Sequence, residues 1–439
     1  MLAQTELLHQ LDCLPVSEQQ GFVRLRTPID VTSLIGWLKA QPIYPRIYWH
    51  ARGRDREFAA IGCLKEITDP HDLAELNGQQ RPLAGSYPRY YGGLAFDYEE
   101  PVSKEWAAFG QCHFVLPRIE LVRLGNQTEL VCNLLFEDTD PGIEIATARN
   151  TIQSLMKEIP LFINQLSSPA YTHTPNQDQW RQWINDIVAP EHLTETPKVV
   201  LSRRSALTFR DSVNPWDLLA KWQQAAPSCF HIGFQFSADS CFIANSPERL
   251  YRREGNQLYS EALAGSIPGT GDPTIDAELA ETLLHDTKNR EENHLVEIDI
   301  LDHLEDLATE VTVSDPKILS LKYIQHIKRE IQATLHDHVA DWDILQRIHP
   351  TPAVGGRPRD HAMQKIRELE YHERGWYAGA CGFISEDVSE FTVSIRSGLW
   401  YRQQLYLYVG AGILAGSDAD TEWRELDTKL HSLLKAWHD

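Results

Sequence analysis

Hydrophobic positions along this chain follow two rhythms. Short apolar runs bounded by turn residues fill the first 165 residues, and Arg46–His50 (RIYWH), 92–96 (GGLAF) and 129–136 (ELVCNLLF) predict strands. Segment 139–159 predicts a helix entered through Asp140 and Pro141. Residues 167–179 (SSPAYTHTPNQDQ) are polar and proline-bearing and predict a linker. Trp180, Trp183, Ile184 and Ile187 then mark one face of a helix. KVVLSRR (198–204) alternates, with Lys198, Val200 and Ser202 on one side. RLYRREGNQLYSEALAGS predicts a hairpin turning at Gly255 and Asn256. Residues 276–308 predict one long helix, and FTVSIRSGLWYRQQLYLYVGAG predicts a further strand pair. Strands and helices mix without regular βαβ alternation, so the pattern predicts an α+β fold with mostly antiparallel sheet. No short tandem repeat or low-complexity tract interrupts it.

Two places break the pattern. In 276–304 the apolar stripe of Leu279, Leu283, Leu284, Leu295, Ile298 and Leu301 has a polar gap between His285 and His294. Stepping from Leu284 by 4, 4 and 3 gives Lys288, Glu292 and Leu295, so Glu292 falls on a face that is apolar above and below it. A carboxylate there either meets a cation or borders a wet cavity. The second break is the run LYLYVGAGILAGSDADTEWRELDTK (405–429), where strand, glycines and helix follow in the order of a dinucleotide-binding turn. That fold needs a second strand and an acidic residue about 20 positions on. Only 439 − 416 = 23 residues follow Gly416, and they read as helix. Glu422, Glu425 and Lys429 share one face of that helix, whose start Asp420 or Thr421 can cap. With Glu292 they would make a hard oxygen site suited to Mg²⁺ beside a glycine turn that a ligand can approach.

Composition narrows the class. The chain has 439 residues, ample for a large core, and 41 Lys plus Arg against 62 Asp plus Glu, a formal charge of −21. A surface of that sign repels nucleic acid and anionic lipid. The 7 cysteines show no metal-ligand spacing, which fits a reducing compartment. The N-terminal residues lack the basic and apolar regions of a secretory signal, and no run reaches the roughly 18 apolar residues a membrane helix needs. A cytoplasmic globular protein is expected.

Several ordered segments together resemble one family. They are KVVLSRR (198–204), SPERL (246–250), EALAGS (261–266), KNREEN (288–293), QH (325–326), HPTPAVGG (349–356), SIRS (394–397) and GAGI…EWRELDTK (410–429). The chain resembles the chorismate-utilising enzymes, most closely the isochorismate synthases, over about residues 173–439 and more loosely before. The resemblance implies a single large domain over 1–439, with two orthogonally packed antiparallel sheets flanked by helices. Residues 1–165 would complete the core, and 173–439 would carry the chemistry. It also implies Mg²⁺-dependent conversion of chorismate to isochorismate: water adds at ring C2, the double bonds shift and the C4 hydroxyl departs.

By that resemblance Lys198 is the base that activates water, and Glu248 is the acid that protonates the leaving hydroxyl. An ordinary surface lysine carries a proton, so the chemistry requires a site that holds this one neutral. The glutamic acid must stay protonated near neutral pH, which requires a raised pKa. Glu292 and Glu425 match metal-ligating carboxylates, and Glu422 a carboxylate that reaches the metal through water. Some relatives carry a further acid where this chain has Asn289. Chorismate's two carboxylates would be held by Arg396, Lys429 and backbone N–H groups at Gly265, Ser266, Gly410, Ala411 and Gly412. His326 and Tyr377 match further substrate-binding positions, and His349 is read as structural.

Anthranilate-forming relatives lack a lysine at the position of Lys198, and HPTPAV resembles the isochorismate synthases. The alternatives within the family are a salicylate synthase, which goes on to eliminate pyruvate, and a siderophore-branch isochorismate synthase. SPERL and EALAGS resemble the menaquinone branch more. A monomer is expected.

Overall fold

The alternation in KVVLSRR becomes the strand Lys198–Thr208, the spine of one of two antiparallel sheets. Its neighbours in that sheet are Gln404–Ile413, Gly356–Arg357 and Ala170–Thr174. The computed structural model describes residues 2–15, 21–53, 55–78, 87–137, 139–161, 169–210, 213–321 and 324–437. Among these, the strands form a 12-stranded and a 10-stranded sheet, and every pairing is antiparallel. The α+β class expected from the pattern is the one observed.

Both sheets draw on both ends of the chain. In the larger sheet, Arg46–His50 pairs with Phe230–Ser237. In the smaller sheet, Tyr90–Leu94 pairs with Ala380–Ile384. Aromatic side chains fill the space between them. Phe383 of the smaller sheet meets Phe58 of the larger edge-on, with ring centroids 5.4 Å apart, and Trp49 at 5.8 Å. Trp376 meets Phe234 at 5.3 Å and Phe109 at 5.2 Å. All six are buried, and rings of this size dominate the apolar area such a core removes from water.

Two of the places where the chain passes from one sheet to the other lie side by side. Strand Ser240–Ser246 of the larger sheet runs into Arg249–Glu254 of the smaller, and Val388–Val393 of the smaller runs into Ser397–Tyr401 of the larger. The two crossings are bonded together. The Val393 N–H and the Thr392 hydroxyl both donate to the Glu248 carbonyl, at 3.2 and 2.5 Å. Asn245 N–H donates to the Arg396 carbonyl at 3.1 Å. The crossings therefore fix the positions of Glu248 and Arg396.

Four sequence expectations change. The predicted linker 167–179 contains the strand Ala170–Thr174 and the start of the helix Gln177–Ile187; residues 167 and 168 lie outside the described residues. The single helix over 276–308 is two, Pro273–His285 and Thr287–Leu304, and Asp286 caps the second by accepting from Asn289 N–H. The polar gap in the stripe is this break. The C-terminal helix Ala419–Lys435 starts earlier than expected, capped by Asp418 in place of Asp420 or Thr421; Asp418 accepts from Thr421 N–H and its hydroxyl. Gly410 and Gly412 lie inside the strand Gln404–Ile413 and not in a turn; the turn is at 414–417, where Gly416 has φ +81°.

Candidate active site

Where the two crossings meet the strand pair 198–208/404–413, a cleft holds about 720 Å³ of empty space including its mouth. Of the residues the sequence singled out, Glu248, Gly265, Ser266, Glu292, His326, Tyr377, Arg396, Gly410, Gly412, Glu425 and Lys429 line it.

Lys198 is not among the lining residues; it lies behind two of them, Glu292 and Gly412. It is fully buried, and its Nζ lies 3.1 Å from Glu292 Oε1, at an angle that makes no hydrogen bond. Gly412, paired with Val200, makes room for this contact. A Cβ at Gly412 would stand 2.7 Å from Glu292 Oε1 and 3.3 Å from Lys198 Cε. Gly410 does the same for Tyr377, whose hydroxyl would meet a Cβ there at 2.7 Å. The glycines thus serve close side-chain approach within a strand.

Glu248 is 3% exposed, and its carboxyl is pushed up from the ordinary 4.5 to about 8. Burial is the largest cause and the Glu261 carboxylate adds to it, while Lys198, Arg396 and Arg52 pull the other way. At neutral pH the side chain is a carboxylic acid able to give up a proton. Arg396, held at φ +50° by the crossing, donates from Nη2 to His326 Nε2 at 2.8 Å. Burial, with the Arg396 and Lys429 charges, holds His326 well below its ordinary value, so it is a neutral acceptor at this contact.

The acidic residues alternate with lysines. Lys429 Nζ lies 2.7 Å from Glu425 Oε1 and donates to the Gly410 carbonyl, also at 2.7 Å. Lys288 Nζ donates to Glu422 Oε1 at 2.9 Å. Burial pulls the Lys288 ammonium down, but Glu422, Glu292 and Glu425 outweigh it and hold it above its ordinary value. Glu422 is buried and raised, by burial first and by Glu425 next. One ammonium therefore feels all three carboxylates that the resemblance would assign to a metal. Among the described residues no three His, Cys, Asp or Glu side chains already converge as a metal cage. The donor chemistry still fits Mg²⁺: Glu292 and Glu425 are hard oxygen donors that both line the cleft, and Mg²⁺ takes only one or two protein carboxylates beside substrate and water oxygens.

Two expected backbone contacts are not free for a substrate. Ser266 N–H donates to Asn289 Oδ1 at 2.9 Å, so the side chain at Asn289 occupies that donor. Ala411 does not line the cleft; it pairs with Leu201 and is buried. Gly265 is the extra residue of a bulge between Ala264 and Ser266, at φ +78°, where a Cβ would strike the Asn289 carbonyl at 2.7 Å. Sequence reasoning missed Lys288, Arg52 and Glu261. The position of Lys288 one turn before Glu292 was a legible signal; for Arg52 there was none.

A family model for the chorismate binding enzymes matches residues 8–438. The chain belongs to the chorismate binding enzyme family. Among curated family members, the isochorismate synthase MenF of Haemophilus influenzae is 32% identical over 434 residues, covering 98% of this chain and 95% of that protein. The MenF of Escherichia coli is 34% identical over 404 residues, covering 92% and 90%. The solved structure of the menaquinone-specific isochorismate synthase MenF from Escherichia coli superposes with a TM-score of 0.90, at 32% identity and over 100% of this chain and 99% of that one. Anthranilate synthase component I from Streptococcus pneumoniae, at 20% identity and TM-score 0.71 over 96% and 94%, shares the fold.

Proposed function

We propose that this chorismate binding enzyme is an isochorismate synthase, an isomerase that interconverts chorismate and isochorismate in menaquinone biosynthesis. The observation that carries the reading is a fully buried lysine, Lys198, 3.1 Å from the cleft residue Glu292, together with a buried glutamic acid in the same cleft, Glu248, whose carboxyl is pushed up to about 8. The full-length similarity to MenF proteins supports the menaquinone branch.

Lys198 takes a proton from water as the water oxygen bonds to ring C2. The C1–C2 and C5–C6 double bonds shift, and the C4–O bond breaks. Glu248 gives its proton to the departing hydroxyl, which leaves as water. In the reverse direction the two residues exchange roles. Arg396 and Lys429 hold the substrate carboxylates, and Tyr377, stacked on Tyr408 with centroids 5.1 Å apart, closes the wall beside Gly410. Glu292 and Glu425 would hold Mg²⁺, with Glu422 behind them. When bound, that ion supplies charge neutralisation and positioning for the ring carboxylate. The enzyme acts as a monomer in the cytoplasm; no helix among the described residues is long and apolar enough to cross a membrane.

The test is chromatographic. Incubation with chorismate and Mg²⁺ should yield isochorismate without pyruvate, and chelating the metal should stop it. Salicylate with stoichiometric pyruvate would instead identify a salicylate synthase.

A further inference from the structure

Behind Glu248 lies an ion pair that the chemistry above does not use. Arg52 follows the strand Arg46–His50 and so comes from the first part of the chain. Its guanidinium grips Glu261 with both arms, Nη2 to Oε1 at 2.6 Å and Nη1 to Oε2 at 3.0 Å. The same Nη1 donates to the carbonyl of Pro247, the residue before Glu248, at 2.7 Å. Glu261 is 4% exposed and lies in the strand Gln257–Pro268 that leads to the cleft wall at Gly265. Arg249, on the other side of Glu248, reaches Glu261 Oε1 at 3.8 Å and pairs with Glu390 at 3.0 Å. Breaking either half of such a bidentate pair strands a buried charge, so the site is built to keep a carboxylate here.

We propose that Glu261, clamped by Arg52, is a positioning residue that holds Glu248 in its acid form. A fixed negative charge beside a buried carboxyl disfavours a second one, and the clamp keeps that charge in place and at a fixed remove from Glu248. The groups acting on Glu248 are Glu261, Lys198, Arg396 and Arg52; of these only Glu261 favours the protonated form. The clamp also ties the first part of the chain to the reacting group. Glu261 acts through Glu248 without touching substrate. The inference rests on the reading of Glu248 as the acid only for its catalytic meaning; the protonation itself is measurable directly.

The experiment is an infrared titration of the full-length enzyme, following the protonated-carboxyl stretch that Glu248→Gln lacks. In the wild type the band should disappear with a midpoint near pH 8. In Glu261→Gln the midpoint should fall by about one pH unit or more. An unmoved midpoint would overturn the proposal, since a merely structural Glu261 would alter stability without shifting it. Should Glu261→Gln not fold, Arg52→Gln removes the cation that opposes Glu261, and the midpoint should then rise above that of the wild type; a midpoint that stays or falls would overturn the proposal. Wild-type turnover by Glu248→Gln would remove the acid role of Glu248 and leave the midpoint comparison standing, so the two failures are separable.

Discussion

At the scale of single residues, the proposed division of the chemistry between Lys198 and Glu248 makes a prediction for each. Lys198→Ala and Glu248→Gln should each lower kcat by about 10²-fold or more while the fold, followed by circular dichroism, is retained. Glu248 also leaves a signature in stability. Its folded-state value, about 8, lies above the ordinary 4.5, so the folded chain binds this proton more tightly than the unfolded chain. The stabilisation is complete below the unfolded value and is lost as pH rises through the folded one. Relative to Glu248→Gln, wild-type stability in urea should therefore fall between about pH 5 and about pH 8, with a slope approaching 1.4 kcal/mol per unit (roughly 2.303RT for one proton). The motif SPERL made Glu248 legible as a candidate, but not the reason its carboxyl stays protonated. That reason lies first in burial between two sheets and then in Glu261, both products of long-range packing.

At the scale of elements, the strand Gln404–Ile413 shows how a glycine pattern acquires meaning from its neighbours. The run VGAG looked like a turn because three glycines end an apolar stretch. In the sheet Gly410 and Gly412 face the cleft, while Ala411 between them is buried against the other side, as the two-residue period of a strand requires. Gly412→Ala should displace the Glu292 carboxylate, because its Cβ would stand 2.7 Å from Oε1. The expected outcome is a kcat lower by about 10²-fold, with a raised magnesium requirement in a metal titration and a nearly unchanged Tm. The shared face of Glu422, Glu425 and Lys429 was legible from helical spacing. Their pairing with Lys288 and Gly410 was not, because those partners lie on a different helix and a different strand. The break between His285 and Thr287 was legible only as a missing apolar stripe. Its physical content is the Asp286 cap, which also anchors Asn289 through Nδ2 at 2.7 Å.

At the scale of the whole molecule, the first part of the chain is woven into both sheets through the pairings at Arg46–His50 and Tyr90–Leu94. Sequence reasoning found the strands there but no chemistry, since Arg52 in isolation is an ordinary arginine. A fragment comprising 173–439 alone would expose unpaired edges on both sheets and lose Phe58, Tyr91 and Trp49 from the core. It should remain unfolded or aggregate, as judged by near-ultraviolet circular dichroism and gel filtration; a soluble, active fragment would show the two parts to be independent. The central claim, that water adds at C2 while the C4 hydroxyl departs, is tested most directly by turnover of chorismate with Mg²⁺ in water enriched in heavy oxygen. Mass spectrometry should find one heavy oxygen in isochorismate, at C2, and no pyruvate. Unlabelled isochorismate, formed by transfer of the substrate's own hydroxyl, would contradict the account.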